Sequence, residues 1–180
     1  MAAAVRPPDR LRLEFIGPMG GVRLLLATDG SELRAILPHE RLYDRAPATP
    51  RAVARVTGLR FRPADLVALM RGKLPCAGAG GSPAPAGTLE EDGTKPCRLD
   101  DADVSLRVNE ASWAQSISIV LGTSHQSIRL DLVDGPAEAN LADDLFAPAV
   151  PEGYSRGNLL GDGQPLFIVD DPAHAEGTGP

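Results

Sequence analysis

Residues 58–75 constrain the fold of this chain more than any other segment. Their apolar side chains recur at the spacing of one helix face, and Gly72 with Pro75 is a combination that ends helices. The apolar positions are Leu66, Leu69, Met70 and Leu74. Because most other apolar stretches alternate as β-strands do, one short apolar helix beside a sheet predicts a lid over an apolar cavity. Such a chain is expected to bind a hydrophobic ligand rather than to catalyse a reaction.

The same helix has a simpler explanation. Its apolar side chains complete a dry core with no cavity beneath them, and the helical pattern by itself favours this alternative. The choice between a lid and a core element therefore depends on the rest of the chain.

The composition narrows the classes of partner. Hydrophobic residues make up 43% of the 180 residues, as in an ordinary folded domain. The net charge of −6 argues against binding to nucleic acid. An aromatic content of 4% argues against a surface that stacks single-stranded bases. We therefore expect no nucleic-acid partner.

Two further patterns set the fold class. Thr49 and Pro50 predict the start of an earlier helix, which ends at Gly58. Alternating apolar and polar residues before residue 38 and after residue 103 predict antiparallel strands with short turns. The chain is therefore predicted to be α+β, with a curved antiparallel sheet (an incomplete β-barrel) and a short two-helix lid.

The predicted organisation is one domain with loose ends. Residues 1–9 are expected to be a flexible N-terminus, residues 10–170 a single domain and residues 171–180 a flexible tail. The helical lid insert is residues 49–73. Smaller elements are expected at residues 38–48 (a loop or an edge strand), 141–146 (a helical turn) and 165–169 (a strand).

The two cysteines of the chain, Cys76 and Cys97, enclose a segment rich in Gly, Ala and Pro. A disulfide between them would stabilise the fold by about 3 kcal/mol in the chain-entropy model. Two unrelated free thiols are the alternative. A disulfide would indicate an oxidising compartment.

Other chemistry has weaker support in the sequence. Ser124 beside His125 has no evident acid partner, and His39 fits an ordinary surface histidine. The cysteines and histidines are too scattered for a zinc site, and the acidic residues at 90–92 and 100–103 lack the glycine-punctuated loop of a calcium site. We expect no enzyme activity, no cofactor and no metal.

Two blocks of sequence resemble the LolA/LolB family, which localises lipoproteins to the outer membrane. The turn Gly17-Pro18-Met19-Gly20 resembles the Pro-Leu-Gly turn of that family. Residues 48–75 resemble its two-helix insert and follow the turn in the same order and spacing. The matching positions of the insert are Thr57, Gly58, Pro63, Leu66, Arg71, Gly72, Lys73, Leu74 and Pro75. The resemblance covers residues 10–76, and the strands after residue 100 by pattern only.

The resemblance implies an apolar barrel cavity that binds the acyl chains of lipoproteins and helps to deliver them to the outer membrane. Met19 would take the place of a protruding, membrane-inserting leucine, although an ordinary packed turn residue is an equal alternative. The cavity would be lined by Leu13, Phe15, Leu24, Leu66, Leu69, Met70, Leu106, Ile119 and Leu130. The implied partners are acylated lipoproteins, outer-membrane lipid and a periplasmic carrier. The implied protein is a monomer at the periplasmic face of the outer membrane.

The start of the chain departs from the family. A signal peptide, a lipidated cysteine and one or two strands before the Pro-Leu-Gly turn are missing, so the chain is interpreted as an N-terminally truncated member. The alternative function is a non-catalytic envelope protein-interaction module on the same fold.

Overall fold

The computed structural model of this chain describes residues 1–75, 95–99, 102–108, 114–121, 127–132 and 140–161. Within these residues the protein is α+β, as predicted. The strands are β1 (Ala2–Arg6), β2 (Arg10–Ile16), β3 (Val22–Thr28), β4 (Glu32–Leu37), β5 (Leu42–Pro47), β6 (Lys95–Leu99), β7 (Ala102–Val108), β8 (Ala114–Leu121), β9 (Ser127–Asp131) and β10 (Ser155–Arg156). The helices are α1 (Pro50–Thr57) and α2 (Pro63–Met70), and a 3-10 turn at Asp143–Leu145 confirms the short helical turn expected there.

The described strands form two sheets, and this corrects the expectation of one curved sheet. The first sheet has the order β1-β2-β3-β4-β5-β10, and the second has the order β6-β7-β8-β9. All neighbours are antiparallel except β10, which pairs in parallel with β5. Because β10 already occupies the free edge of β5, β6 cannot continue the first sheet there.

The alternation seen in the sequence gives the first sheet one apolar face. Leu13 pairs with Leu26 across β2 and β3, and both side chains are buried in the core. The neighbouring row on the opposite face runs through Arg12, Ala27 and Arg34. Successive side chains of a strand point to opposite faces, so the same strands present leucines inward and arginines outward.

Helix α1 is bounded as predicted. Thr49 Oγ1 accepts a hydrogen bond from the backbone N–H of Ala52 at 3.3 Å, Pro50 takes the first helical position, and Gly58 ends the helix in the left-handed region. The capping hydroxyl satisfies one of the donors that every helix start leaves free.

Helix α2 lies between the two sheets. It begins at Pro63, where the Asp65 carboxylate accepts the backbone N–H of Arg62 at 3.0 Å, and it ends at Met70. It packs against β1 and β2 of the first sheet and against β8 of the second. Most of its side chains are buried, which is the pattern of a helix covered on several sides.

Residues 140–150, named here the strap, cross the outer face of the first sheet. Arg12 Nη1 donates to the carbonyl oxygen of Leu145 at 3.1 Å, and Arg34 Nη1 donates to that of Pro148 at 2.9 Å. Phe146 is fully buried, with the Arg6 guanidinium 5.1 Å from its ring centre. The first sheet is therefore covered on both faces, by α2 inside and by the strap outside.

Two predicted boundaries were wrong. Residues 1–9 are not a flexible end, because β1 pairs with β2 from Ala2–Glu14 to Arg6–Arg10 and Val5 packs against the core. Residues 38–48 contain β5, which lies inside the sheet between β4 and β10 rather than at its edge. The predicted strand at 165–169 and the predicted tail at 171–180 lie outside the described residues.

Candidate functional site

The apolar residues that were predicted to line a cavity lie together in one cluster. This cluster contains side chains from both sheets and both helices. Its buried members among the predicted residues are Leu13, Leu24, Leu66, Leu69, Met70, Leu106 and Ile119, and Phe15 and Leu130 are partly buried against them. The sequence therefore identified a set of residues that the fold does bring together.

The central side chains of this cluster pack against protein and not against open space. Leu69, Leu106 and Ile119 are at most 1% exposed. A cavity large enough for water would leave accessible area on the side chains that line it, so these three line no such cavity. The apolar site is therefore closed around Leu69, Leu106 and Ile119, and a ligand reaches these side chains only if α2 or a strand moves.

The second predicted feature, the turn between β2 and β3, projects from the sheet. Within residues 17–21, here called the tip, the N–H of Gly17 donates to the carbonyl of Gly21 at 3.1 Å, and the N–H of Gly20 donates to that of Gly17 at 3.0 Å. Met19 is 98% exposed and Ile16, at the base of the tip, is 50% exposed. Met19 is thus a protruding side chain, and its alternative as a packed turn residue is wrong.

A polar cleft next to β5 was not predicted. Its volume is about 530 Å³, and its lining includes Tyr43, Arg45 and Arg156. Arg156 Nε lies 3.6 Å from the carboxylate of the buried Asp44, which also accepts the N–H of Leu160 at 2.9 Å. The cleft joins strands that are more than 100 positions apart in sequence, so no local motif could have indicated it.

Helix α1 carries a guanidinium group with unsatisfied donors. Arg55 Nε and Nη1 are buried and have no hydrogen-bond partner. Native structures pair the large majority of buried polar atoms, so an exception of this kind calls for an explanation. Sequence reasoning missed Arg55, although its place directly before the buried Val56 was a usable signal.

Hydrogen bonds favour the ionised form of several carboxylates among the described residues, including the partly buried Asp29 and the exposed Asp143. Hydrogen bonds from the backbone N–H of Glu32 and from Ser31 lower the pKa of Asp29 from 3.8 to about 2. Hydrogen bonds from Arg6 and then Arg10 hold the pKa of Asp143 below its usual value. Asp143 belongs to the strap, so these two arginines of the first sheet fix the start of the strap electrostatically.

The remaining candidate residues do not come together as a group within the described part of the chain. Cys97 is buried and disulfide-bonded, and its predicted partner Cys76 lies outside the described residues, as do Ser124 and His125. His39 is exposed in a turn. Among the described residues no three potential metal-ligating side chains come together, and no helix is long and apolar enough to cross a bilayer.

The chain was also compared with known proteins. A scan against family models and a search of curated sequences found no match to it.

Proposed function

We propose that this protein binds the acyl chains of lipoproteins and helps to deliver them to the outer membrane. It would act as a monomer at the periplasmic face of that membrane, with acylated lipoproteins, outer-membrane lipid and a periplasmic carrier as partners. The acyl chains would lie between the two sheets beneath α2, in the manner of an incomplete barrel with a helical lid. No catalytic step is needed, because burial of methylene groups supplies the affinity.

The observation that carries this proposal is the tip. The Met19 side chain is 98% exposed, on a turn that is held by its own backbone hydrogen bonds. No packing contact within the protein therefore has to be broken when this side chain moves from water into lipid. Inserted into the interfacial region of a bilayer, a methionine side chain gains up to about 1.5–3 kcal/mol by leaving water. The tip is therefore suited to contact with lipid.

The acyl site requires α2 to move. The helix lies between two glycines, Gly58 and Gly72, both of which adopt left-handed backbone conformations and act as the proposed hinges. Displacing α2 exposes Leu66, Leu69 and Met70, which costs free energy. Burial of an incoming acyl chain offsets this cost by about 0.8 kcal/mol for each methylene group. The closed core is then the ligand-free form of the site.

The closed core also favours a second candidate function. If α2 stays in place, the protein is a non-catalytic interaction module of the cell envelope, and the tip contacts a partner protein. This candidate predicts a stable complex with another envelope protein and no bound lipid.

The two functions are separated by displacement of a fluorescent fatty acid. We expect a triacylated peptide to displace the probe and the same peptide without acyl chains to leave it bound. Native mass spectrometry of the gently purified protein gives an independent count of bound lipid. No probe binding and no bound lipid would reject the acyl-binding proposal.

A pair of matched variants tests where the acyl chains bind. Leu69 of α2 and Val53 of α1 are equally buried, at 1% exposure. We expect Leu69→Ala to change the affinity for the triacylated peptide, and Val53→Ala, which also removes core volume, to leave it within about twofold. Equal effects of the two substitutions would place the acyl chains away from α2.

A further inference from the structure

We infer that Arg55 is the residue that receives the polar end of the acyl ligand, through an oxygen acceptor such as a carboxylate or an ester carbonyl. The inference rests on the proposed function, because it assigns the headgroup contact of the same apolar site. It starts from the two buried guanidinium nitrogens of Arg55, which have no partner.

Within the described part of the chain, Arg55 is the one side chain whose buried polar atoms lack a hydrogen-bond partner. Other arginines of the described residues are paired: Arg12 with Glu14 at 2.6 Å, Arg34 with Glu32 at 2.7 Å and Arg62 with Asp65 at 2.8 Å. Arg55 has neither an ion pair nor a hydrogen bond in the described part of the chain. Guanidinium is charged at every physiological pH and donates five hydrogen bonds, so leaving Nε and Nη1 dry opposes folding.

The position of Arg55 places these donors at the border of the apolar cluster. Ala52, Val53 and Val56 of the same helix belong to the cluster, and Leu59, just after the end of the helix, belongs to it as well. The Arg55 side chain as a whole is partly exposed. A ligand with its chain beneath α2 and its headgroup toward solvent beside α1 would present an acceptor at this border.

The chemistry of Nε and Nη1 defines the acceptor. Nε and Nη1 donate toward different sides of the planar guanidinium, because Nη1 lies on the same side as Cδ and Nε–H points away from it. Each nitrogen therefore needs an acceptor oxygen of its own, and carboxylates and esters carry such oxygens. A free fatty acid and an acylated lipoprotein both offer such oxygens, and the experiment distinguishes them. An apolar probe with no acceptor oxygen gains nothing from Arg55.

The test uses the variants Arg55→Met and Arg51→Met in the full chain. Arg51 lies one turn earlier in α1, is exposed and has a partner, so its substitution removes the same charge from the same helix. We measure the free energy of unfolding in urea, and binding of dodecanoate, of a triacylated peptide and of the apolar fluorophore N-phenyl-1-naphthylamine.

Opposite changes in stability and affinity are expected. Arg55→Met should unfold at an equal or higher urea concentration than the wild type, because unsatisfied donors are removed. Its affinity for dodecanoate should fall about tenfold or more, the size of a lost charge-assisted hydrogen bond, while naphthylamine binding stays unchanged. Arg51→Met should keep both affinities. An equal loss for the triacylated peptide would identify the ester carbonyl as an acceptor, and an unchanged value would restrict the site to carboxylates.

Three results would overturn the inference. If Arg55→Met is less stable and binds all probes less well, Arg55 has a structural role. If it binds dodecanoate as the wild type does, Arg55 is not the headgroup contact although the acyl site stands. If the wild type binds neither dodecanoate nor the naphthylamine, the acyl site itself is rejected and this inference with it.

Discussion

The two turns at the ends of β3 are built in opposite ways. The tip, at the start of β3, consists of Gly, Pro and Met residues and is held by backbone hydrogen bonds alone. The turn at the other end, residues 29–31, is held by side chains. The Asp29 carboxylate accepts the N–H of Ser31 at 2.9 Å and that of Glu32 at 3.0 Å, and the N–H of Gly30 donates to Thr28 Oγ1 at 3.0 Å.

The difference teaches that an exposed apolar turn is not a consequence of this topology. At its other end, β3 leads into a polar turn, residues 29–31, whose side chains accept hydrogen bonds from the backbone N–H groups of the turn. The tip lacks such side chains and exposes Met19 instead. Its apolar exposure adds nothing to the fold, and it leaves Met19 free for the proposed contact with lipid.

The largest expected effect on stability comes from matched glycine substitutions in the two turns. Gly30 has φ +99°, and a Cβ placed on it would lie 2.5 Å from the Asp9 carboxylate, whereas a Cβ on Gly20 (φ +77°) meets nothing within 4 Å. We expect Gly30→Ala to destabilise the protein by about 3 kcal/mol and Gly20→Ala by about 1 kcal/mol, the cost of left-handed backbone alone.

Urea unfolding of the two variants measures this difference. If Gly20→Ala costs as much as Gly30→Ala, the tip is under a packing constraint that the structure does not contain. The comparison between a constrained and an unconstrained turn would then fail.

The next effect is the loss of the Asp29 carboxylate. Asp29→Ala removes the acceptor of several hydrogen bonds and is expected to cost about 1–2 kcal/mol at pH 7. Asp29→Asn keeps one acceptor oxygen and should lie between the wild type and the alanine variant. Equal stability of the alanine variant and the wild type, measured in urea, would show that this turn depends on its backbone alone, as the tip does.

The pH dependence of stability follows from the same carboxylate. The pKa of Asp29 is about 2 in the folded state against 3.8 ordinarily, so the unfolded state binds more protons between these values. The stabilisation is present above about pH 4 and is lost as the pH falls toward 2. The difference in pKa sets an upper limit of about 2.4 kcal/mol, which solvent screening reduces to about 1 kcal/mol. Unfolding curves of wild type and Asp29→Ala should converge in this pH range; parallel curves would contradict the assignment.

Much of the first sheet could be predicted from the sequence, and the failures have physical reasons. Leu11, Leu13 and Phe15 alternate with charged residues, and this pattern predicts β2. The Ala-rich β1 has no such alternation, and it is a strand because β2 pairs with it. Propensity cannot reveal an element whose stability comes from its neighbour.

The sequence predicts which apolar residues form the candidate site, but not whether they enclose a cavity. The sequence indicated that α2 and the strands bury apolar side chains together, which the cluster confirms. Whether those side chains touch each other or surround a space depends on packing at the scale of one methyl group, and periodicity contains no such information. The same holds for Arg55, whose missing partner becomes visible only when its surroundings are known.

The smallest expected effect on stability is that of a substitution at Met19. A negligible effect there would sharpen the contrast between the tip and the turn at residues 29–31. Met19→Thr should leave the free energy of unfolding within about 0.5 kcal/mol, as for other exposed sites. Val120→Thr is the matched control, since Val120 is also an exposed apolar residue but lies in β8 of the second sheet. Co-sedimentation with phosphatidylcholine vesicles should fall about tenfold for Met19→Thr, because the inserted side chain loses its transfer from water to lipid, and should not change for Val120→Thr. Equal sedimentation of both variants and the wild type would mean that the tip does not enter the bilayer, and the exposed methionine would then require a protein partner rather than a lipid one.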